Sequence, residues 1–503
     1  MSGLSAKFRK VITRIEIIGN KLPHPFWIFN ILSIAVIAGS FFLQGTSNYV
    51  VENGNFNLIQ VNNLLDMAYL VNIFGNQHEN FIMFKPLAIV ILILMGVSVF
   101  QQSGALSAII RSIFGKTPIK YIVGVVAFIG VNGNLASDVS VIVIPTICAG
   151  LFQSLNMNPW LGIIVGYASV NGGFTLNMLI AATDMITSEI TCSVTETMGL
   201  NENVHALSNY YFMFVGSIFL IIITVLVAEN VTKRVLGCHE DNIVLSQRGS
   251  FRLSKRERAG LKYFIYANIL YFLGIYTIWI YMKKSDLNIT ATRMITDNMV
   301  GWIFIYFTVT GTAFGLKAGT IKSLEELPKI FAIGISGVKE FIVTAFSASL
   351  FIRVLNDSNL VSWLVSWVSA LFESIQMPPL LILLLFILGI SIFNLFITSN
   401  SVKWVFIASF AIPIFSELNI SANVVQVAYR IGDTATNCIS PVDYYLPIII
   451  SLLDGYKADG HVKVGIGTVV SLALPYSIAY LIGLIILFMV WYLLGLPFGP
   501  SIV

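Results

Sequence analysis

Apolar stretches about as long as a bilayer is thick recur from one end of this chain to the other. A helix needs roughly 17 to 25 such residues to cross the hydrocarbon layer. Segments 26–42, 86–100, 139–155, 210–228, 263–282, 300–316, 380–397 and 470–494 are at or near that length. Segments 121–131 and 404–415 are shorter apolar cores that need their flanks to cross, and 159–186, 330–352, 358–375 and 421–452 are short or interrupted. Only 11% of residues are charged, against about a quarter in a soluble protein. The chain is therefore read as an all-α polytopic membrane protein, with some segments that do not cross fully.

Loop charges set the orientation. Lys7, Arg9, Lys10, Arg14 and Lys21 precede the first apolar run, without a small-residue cleavage site behind it, so a cytoplasmic N-terminus is expected and no cleaved signal peptide. The loop 229–262 carries eight Lys/Arg and is expected on the same side, whereas 44–80 and 189–208 carry none and are expected outside. An odd number of crossings would put the C-terminus outside. The net charge of +4 follows from this loop bias and makes no case for nucleic acid. Cys148, Cys192, Cys238 and Cys438 have neither metal nor disulfide spacing.

The chain divides into an N-terminal half (1–229), a cytoplasmic linker (230–262) and a C-terminal half (263–503), and the halves repeat a pattern. The first contains Asn134 and Asp138, a helix with Pro145, a turn ending at Asn156, then the broken segment 159–186 with Asn171-Gly172-Gly173. The second contains Asn394 and Asn400-Ser401, a helix with Pro413, a turn ending at Asn419, then the broken segment 421–452 with Arg430 and Pro441. Asn156 to Asn171 is fifteen residues and Asn419 to Asp433 is fourteen. An odd number of crossings between the repeats would invert them, the arrangement of many secondary transporters.

Charged residues at bilayer depth are costly and mark functional sites by default. In 429–441, Arg430, Asp433, Thr434 and Asn437 share one face of a helix, and Ser440-Pro441 breaks it. Arg430 keeps its proton, so Asp433 is expected to pair with it and stay ionised. A bare interhelical clip would not need the break. Hard oxygen ligands suit an alkali cation, and Asn394, Asp433 and Asn437 are read as a sodium site. In the first repeat Asn177 offers an amide. Asp184 either carries a proton as an unpaired acid or reaches the outer surface, where a polar loop begins. Trp404 either stacks a substrate ring or anchors at the interface. Asp138 reads as a helix-cap residue, and Asp443 as either substrate-facing or solvated.

Zinc-protease, phosphate-loop and nucleophile-elbow motifs are missing, and five histidines (24, 78, 205, 239 and 461) are dispersed. No enzyme, no ATP-driven pump and no cofactor beyond a bound sodium ion are expected. An ion channel would want rings of like charge along its path, and this chain offers single, paired charges. A channel, an intramembrane enzyme or a transporter of an unrelated solute are the competing readings.

The chain resembles the p-aminobenzoyl-glutamate transporter (AbgT) family of bacterial membrane proteins along nearly its whole length. The resemblance is carried by Ile18-Gly19-Asn20-Lys21-Leu22-Pro23-His24-Pro25, by Gly172-Gly173-Phe174-Thr175-Leu176-Asn177 with Asp184, and by Asn394-Leu395-Phe396-Ile397. Ser401-Val402-Lys403-Trp404, Tyr429-Arg430-Ile431-Gly432-Asp433 and the ending Leu494-Gly495-Leu496-Pro497-Phe498-Gly499-Pro500 extend it. It implies a homodimer in the inner membrane, each protomer with nine transmembrane helices and two re-entrant hairpins. It implies sodium- or proton-driven movement of p-aminobenzoyl-glutamate or sulfonamide antimetabolites. Asp184, Asn394, Ser401, Trp404, Arg430, Asp433, Asn437 and Pro441 carry over as site residues. Trp404 would then neighbour an aminobenzoyl ring and Arg430 a glutamate carboxylate. Three departures stand out: Asn171 where the family usually has serine, Ala422 in place of a proline, and Asp443 among residues that are mostly neutral in the family. An added acid there would repel a dianionic solute.

Overall fold

The computed structural model describes the chain except residues 1–22, 24, 53–54, 83, 115–116, 137–138, 201, 203, 237–252, 285–297, 337–338, 361–362, 364–366, 368–376, 398, 442, 444, 457–463 and 501–503. The N-terminal cations, Asp138, Cys238 and the middle of the 230–262 linker lie outside the described residues.

The described chain is helical apart from one hairpin. Four helices are long and apolar enough to cross a membrane: Tyr210–Leu236, Lys255–Met282, Met299–Ala318 and Ile466–Leu493. A fifth span arises if Leu87–Gln102 and Ala105–Ile113, bent by 56° at a short break, are counted together. Shorter apolar helices include Phe26–Phe42, Ile119–Val131, Ser140–Ser154, Pro379–Phe393 and Leu446–Gly455. Tyr210–Leu236 passes through one π-helical turn, Ala228–Thr232, and Lys255 opens the next helix, so helix enters the linker from both sides.

Lys255–Met282 shows why composition announces a membrane. Only 6% of its apolar window is buried in the protein, and Tyr266, Ile269, Leu270, Phe272 and Tyr281 stand outward. Apart from the side that meets Met299–Ala318, so apolar a surface with so little covered by protein suits lipid as its solvent.

The segment 44–80, expected outside, holds a hairpin that the sequence reading did not anticipate. Strands Ser47–Glu52 and Asn55–Gln60 pair antiparallel, Ser47 opposite Gln60 and Glu52 opposite Asn55. The segment alternates polar residues with Tyr, Val, Phe, Leu and Ile around the sequence Asn53-Gly54, a strong hairpin signal. Helices Met67–Gly75 and Gln77–Ile82 follow.

Two groups of helices meet at the main core, to which Phe29, Val90 and Phe351 of the first group also belong. In the first, Lys85–Gln102 lies against Met299–Ala318 and Leu327–Ser336, while Lys339–Asp357 lies against Pro25–Phe42. The other holds the main core: Ile122–Val131, Val139–Ser154 and Pro159–Gly172 from the first half, with Pro379–Phe393, Asn400–Glu417, Ala422–Thr436 and Ile466–Leu493 from the second.

Within that core the repeat is visible as backbone. Asn156 and Asn419 both adopt left-handed φ of 56°, which asparagine tolerates better than most residues. Both end a helix with the same wrap: Met157 N–H donates to Phe152 O (2.8 Å) and Ile420 N–H to Phe415 O (3.0 Å). A buried helix follows each turn, then a break, at 173–181 and at 437–445. Counting outward from the two asparagines in equal steps, Lys403 falls on Ser140, Arg430 on Tyr167 and Asp433 on Val170.

Candidate functional site

Both broken segments lie inside the protein, where polar groups must find partners or cost free energy. Some of the partners come from the opposite repeat. Arg430 Nη1 donates to Asp184 Oδ1 at 2.6 Å and to the Thr175 carbonyl at 2.9 Å, with both charged side chains 1% exposed or less. Asp184 Oδ2 accepts the Ala181 N–H (2.8 Å) and closes the first turn of Ala182–Thr197. Thr175 Oγ1 lies 2.6 Å from Thr434 Oγ1. One arginine thus holds the break of the first repeat in shape.

This overturns the expected Arg430–Asp433 pair. The two residues do share a helix, but the facing elements decide partners. Asp433 instead meets the Lys403 ammonium, which also contacts Asn394 Oδ1. Asn394 Nδ2 donates to the Asp433 carbonyl (2.8 Å), Thr436 Oγ1 (3.0 Å) and Asn437 Oδ1 (2.7 Å), and Asn437 Nδ2 donates to Asp433 Oδ2 (3.3 Å). The three residues read as a sodium site therefore do cluster. The oxygens of Asn394 and Asp433 already face a positive charge. Asp184 is fully buried and paired, so it is neither an unpaired acid nor at the outer surface.

Trp404 is not an interfacial anchor. It is fully buried, its ring 4.3 Å from that of Tyr429, and its Nε1 donates to Thr191 Oγ1 (2.9 Å) and Thr187 O (3.1 Å). Tyr429 Oη donates to Asn400 Oδ1 (2.8 Å), and Asn400 Nδ2 to Thr187 Oγ1 (3.1 Å). The indole thereby locks Asn400–Glu417 to Ala182–Thr197. Ser401 beside it is half-buried, and Pro441 is buried just past the 3-10 turn Asn437–Ile439.

Asp443 is not solvated. Its Oδ2 accepts from Tyr167 Oη (3.0 Å) and its Oδ1 from Tyr445 N–H (3.0 Å). Tyr167 is the repeat counterpart of Arg430, and each reaches an acid of the other half, Asp443 within its break and Asp184 just past it. Sequence reasoning missed Tyr167, Thr175 and the pairing of Lys403. The usable signal was Lys403 itself, a lysine in an otherwise apolar helix with no acid on its own element until Glu417.

Two buried polar atoms beside the Asp184 pair have no hydrogen-bond partner among the described residues: Arg430 Nε and Asn177 Oδ1. Asn177 Nδ2 makes a long contact of 3.4 Å to Gly173 O. A donor and an acceptor left unpartnered near one ion pair are chemically suited to a polar solute. No cluster of three His, Cys, Asp or Glu fit for a metal occurs among the described residues.

Ala422 is explained by a contact that proline could not make. Its N–H, the first of its helix, donates to Glu202 Oε2 at 2.7 Å from the loop before Tyr210. Burial raises the Glu202 carboxyl above the usual glutamate range, although that hydrogen bond pulls it down. An acid whose pKa rises on folding contributes stability below its unfolded pKa and loses it as pH rises through the folded value. Glu202→Gln, which still accepts the N–H, should therefore gain in unfolding temperature relative to the parent as pH rises above the ordinary glutamate pKa of about 4.3. Parallel curves for the two proteins over that rise would refute this.

A model of the AbgT putative transporter family matches residues 10–503. The chain is 26% identical over 502 residues to the p-aminobenzoyl-glutamate transport protein of Escherichia coli (strain K12), covering 99% of this chain and 97% of that protein. Its fold is similar to that of the Alcanivorax borkumensis YdaH transporter, whose topology is described as unusual: TM-score 0.86, 25% identity, 95% of this chain and 100% of that one. It is also similar to Neisseria gonorrhoeae MtrF, described as illuminating a class of antimetabolite efflux pumps: TM-score 0.87, 28% identity, 98% of this chain and 99% of that one.

Proposed function

The chain belongs to the AbgT putative transporter family, and from that premise we propose that it is an ion-coupled secondary transporter of a small aromatic solute bearing a carboxylate. p-Aminobenzoyl-glutamate and antimetabolites are the solutes we propose by way of the relatives' descriptions, with sulfonamides among the antimetabolites by the family resemblance. The family and these relatives are transporters, not enzymes, and the chain is a multi-pass membrane protein. An inner-membrane homodimer with its N-terminus in the cytoplasm completes the proposal, with 1–229 and 263–503 as the repeated halves.

The observation that carries this reading is the buried meeting of the two helix breaks. It holds two carboxylates, two fixed cations, and the unpartnered Arg430 Nε and Asn177 Oδ1. A guanidinium edge suits a solute carboxylate, and Asn177 suits a donor such as an amide or arylamine. Trp404 acts in this reading as the wall behind Arg430, because one of its faces packs on Tyr429. Ser401 and Pro441 are proposed at the solute's edge. Asp184 and Asp433, with Asn394 and Asn437, are proposed as the ion-coupling groups. The acid at Asp443 weighs less against a dianionic solute than its position in sequence suggests, since Tyr167 and the Tyr445 N–H already share its charge.

Uptake of radiolabelled p-aminobenzoyl-glutamate into proteoliposomes, with sodium and pH gradients imposed separately, tests the proposal. Saturable flux that follows one imposed gradient is expected. Ohmic, gradient-independent current would establish a channel instead.

A further inference from the structure

Lys403 sits where the sequence calls for an alkali cation. It lies in Asn400–Glu417, is 1% exposed, and its ammonium rests between Asn394 Oδ1 and Asp433 Oδ1. These are two of the hard oxygens in the proposed ion-coupling cluster.

The other repeat supplies a control within the same molecule. There Asn134, three residues nearer its turn than Asn394 is to its own, makes the counterpart bond: its Nδ2 donates to the Val170 carbonyl at 2.8 Å, the length of the bond from Asn394 to the Asp433 carbonyl. At the place of Lys403 is Ser140, whose Oγ lies 3.5 Å from Asn134 Oδ1. At the place of Asp433 is an apolar valine. Neither of these two positions carries a charge there, so the helix-to-helix bond does not need a Lys–Asp pair at them. A clip would not need it.

We infer that Lys403 is a tethered competitor at the cation site: its ammonium and a bound sodium ion exclude each other at Asp433, so Lys403 sets the ion affinity. Two unit positive charges cannot share one buried carboxylate without strong mutual repulsion. Lys403 must leave Asp433 for an ion to use those oxygens, and it adjoins Trp404, whose indole ties this helix to Ala182–Thr197. Ion occupancy is thereby linked to the position of the helix that walls the solute site. This rests on the ion-coupled reading above, but it is tested by binding rather than flux, so the failure of one is separable from the failure of the other.

The experiment is thermal unfolding of the purified protein, titrated with sodium chloride against choline chloride at constant ionic strength. Lys403→Met should respond to sodium with a half-saturation at least tenfold lower than the parent. Lys403→Arg, which keeps the charge, should behave as the parent. Adding Asp433→Asn to Lys403→Met should remove the sodium response. A folded Lys403→Met with a response no stronger than the parent overturns the inference, as does a response that survives Asp433→Asn. Should Lys403→Met fail to fold, Lys403→Gln is read in its place. If both neutral variants fail to fold in sodium as well as in choline, Lys403 is a structural clip and the inference falls.

Discussion

Arg430→Ala is expected to abolish transport and to destabilise the protein by about 3–5 kcal/mol, the usual cost of removing one partner of a buried ion pair. Asp184 would be left fully buried with the Ala181 N–H and the Asn177 amide as its partners and no positive charge. The Thr175 carbonyl would lose a donor as well, loosening the break at 173–181. The double variant Asp184→Asn with Arg430→Met separates the two roles. It removes both charges together, so much of the lost stability should return, while flux should not. Unfolding measurements on the single and double variants give the coupling between the residues. Additive losses would mean that the pair is not the unit described here, and wild-type flux in Arg430→Ala would remove Arg430 from the site.

Gly173→Ala should be comparably severe through packing alone. A Cβ at Gly173 would stand 2.0 Å from the Val131 carbonyl oxygen, a backbone atom that cannot rotate away. Overpacking commonly costs about 1–3 kcal/mol, occasionally more, and this overlap calls for the upper end. The residue starts the first break, so a shift of the chain here moves Thr175 and Asn177. A purified, monodisperse Gly173→Ala protein with parental unfolding temperature and flux would show that the two helices are not in close contact at that point.

The apolar spans were legible because the cost of placing a residue in lipid is largely a local property. Segments 210–228 and 470–494 could be located almost to the residue, and their helices are Tyr210–Val227 and Ile466–Leu493. The hairpin at 47–60 was overlooked because the absence of Lys and Arg says which side a segment faces, not how it folds. At the site, the residues with chemistry stood out as polar exceptions in apolar surroundings, but their partners did not. Helical spacing puts Arg430 and Asp433 on one face, yet cannot say which element comes opposite each. Arg430 finds an acid 246 positions away, and Asp433 finds a lysine on the preceding helix. Pairing of that kind follows from how helices dock, across the halves for Arg430 and within one half for Asp433, and no periodicity encodes it.

The exchanged grip of the halves has a mechanical consequence. Tyr167 of the first half holds Asp443 of the second, and Arg430 of the second holds Asp184 of the first. If one break shifted alone, a buried acid would be stripped of its donor. If both shifted together, neither would be. The cheapest displacement of the interior is therefore one in which the two breaks travel as a unit, each half latched to the other.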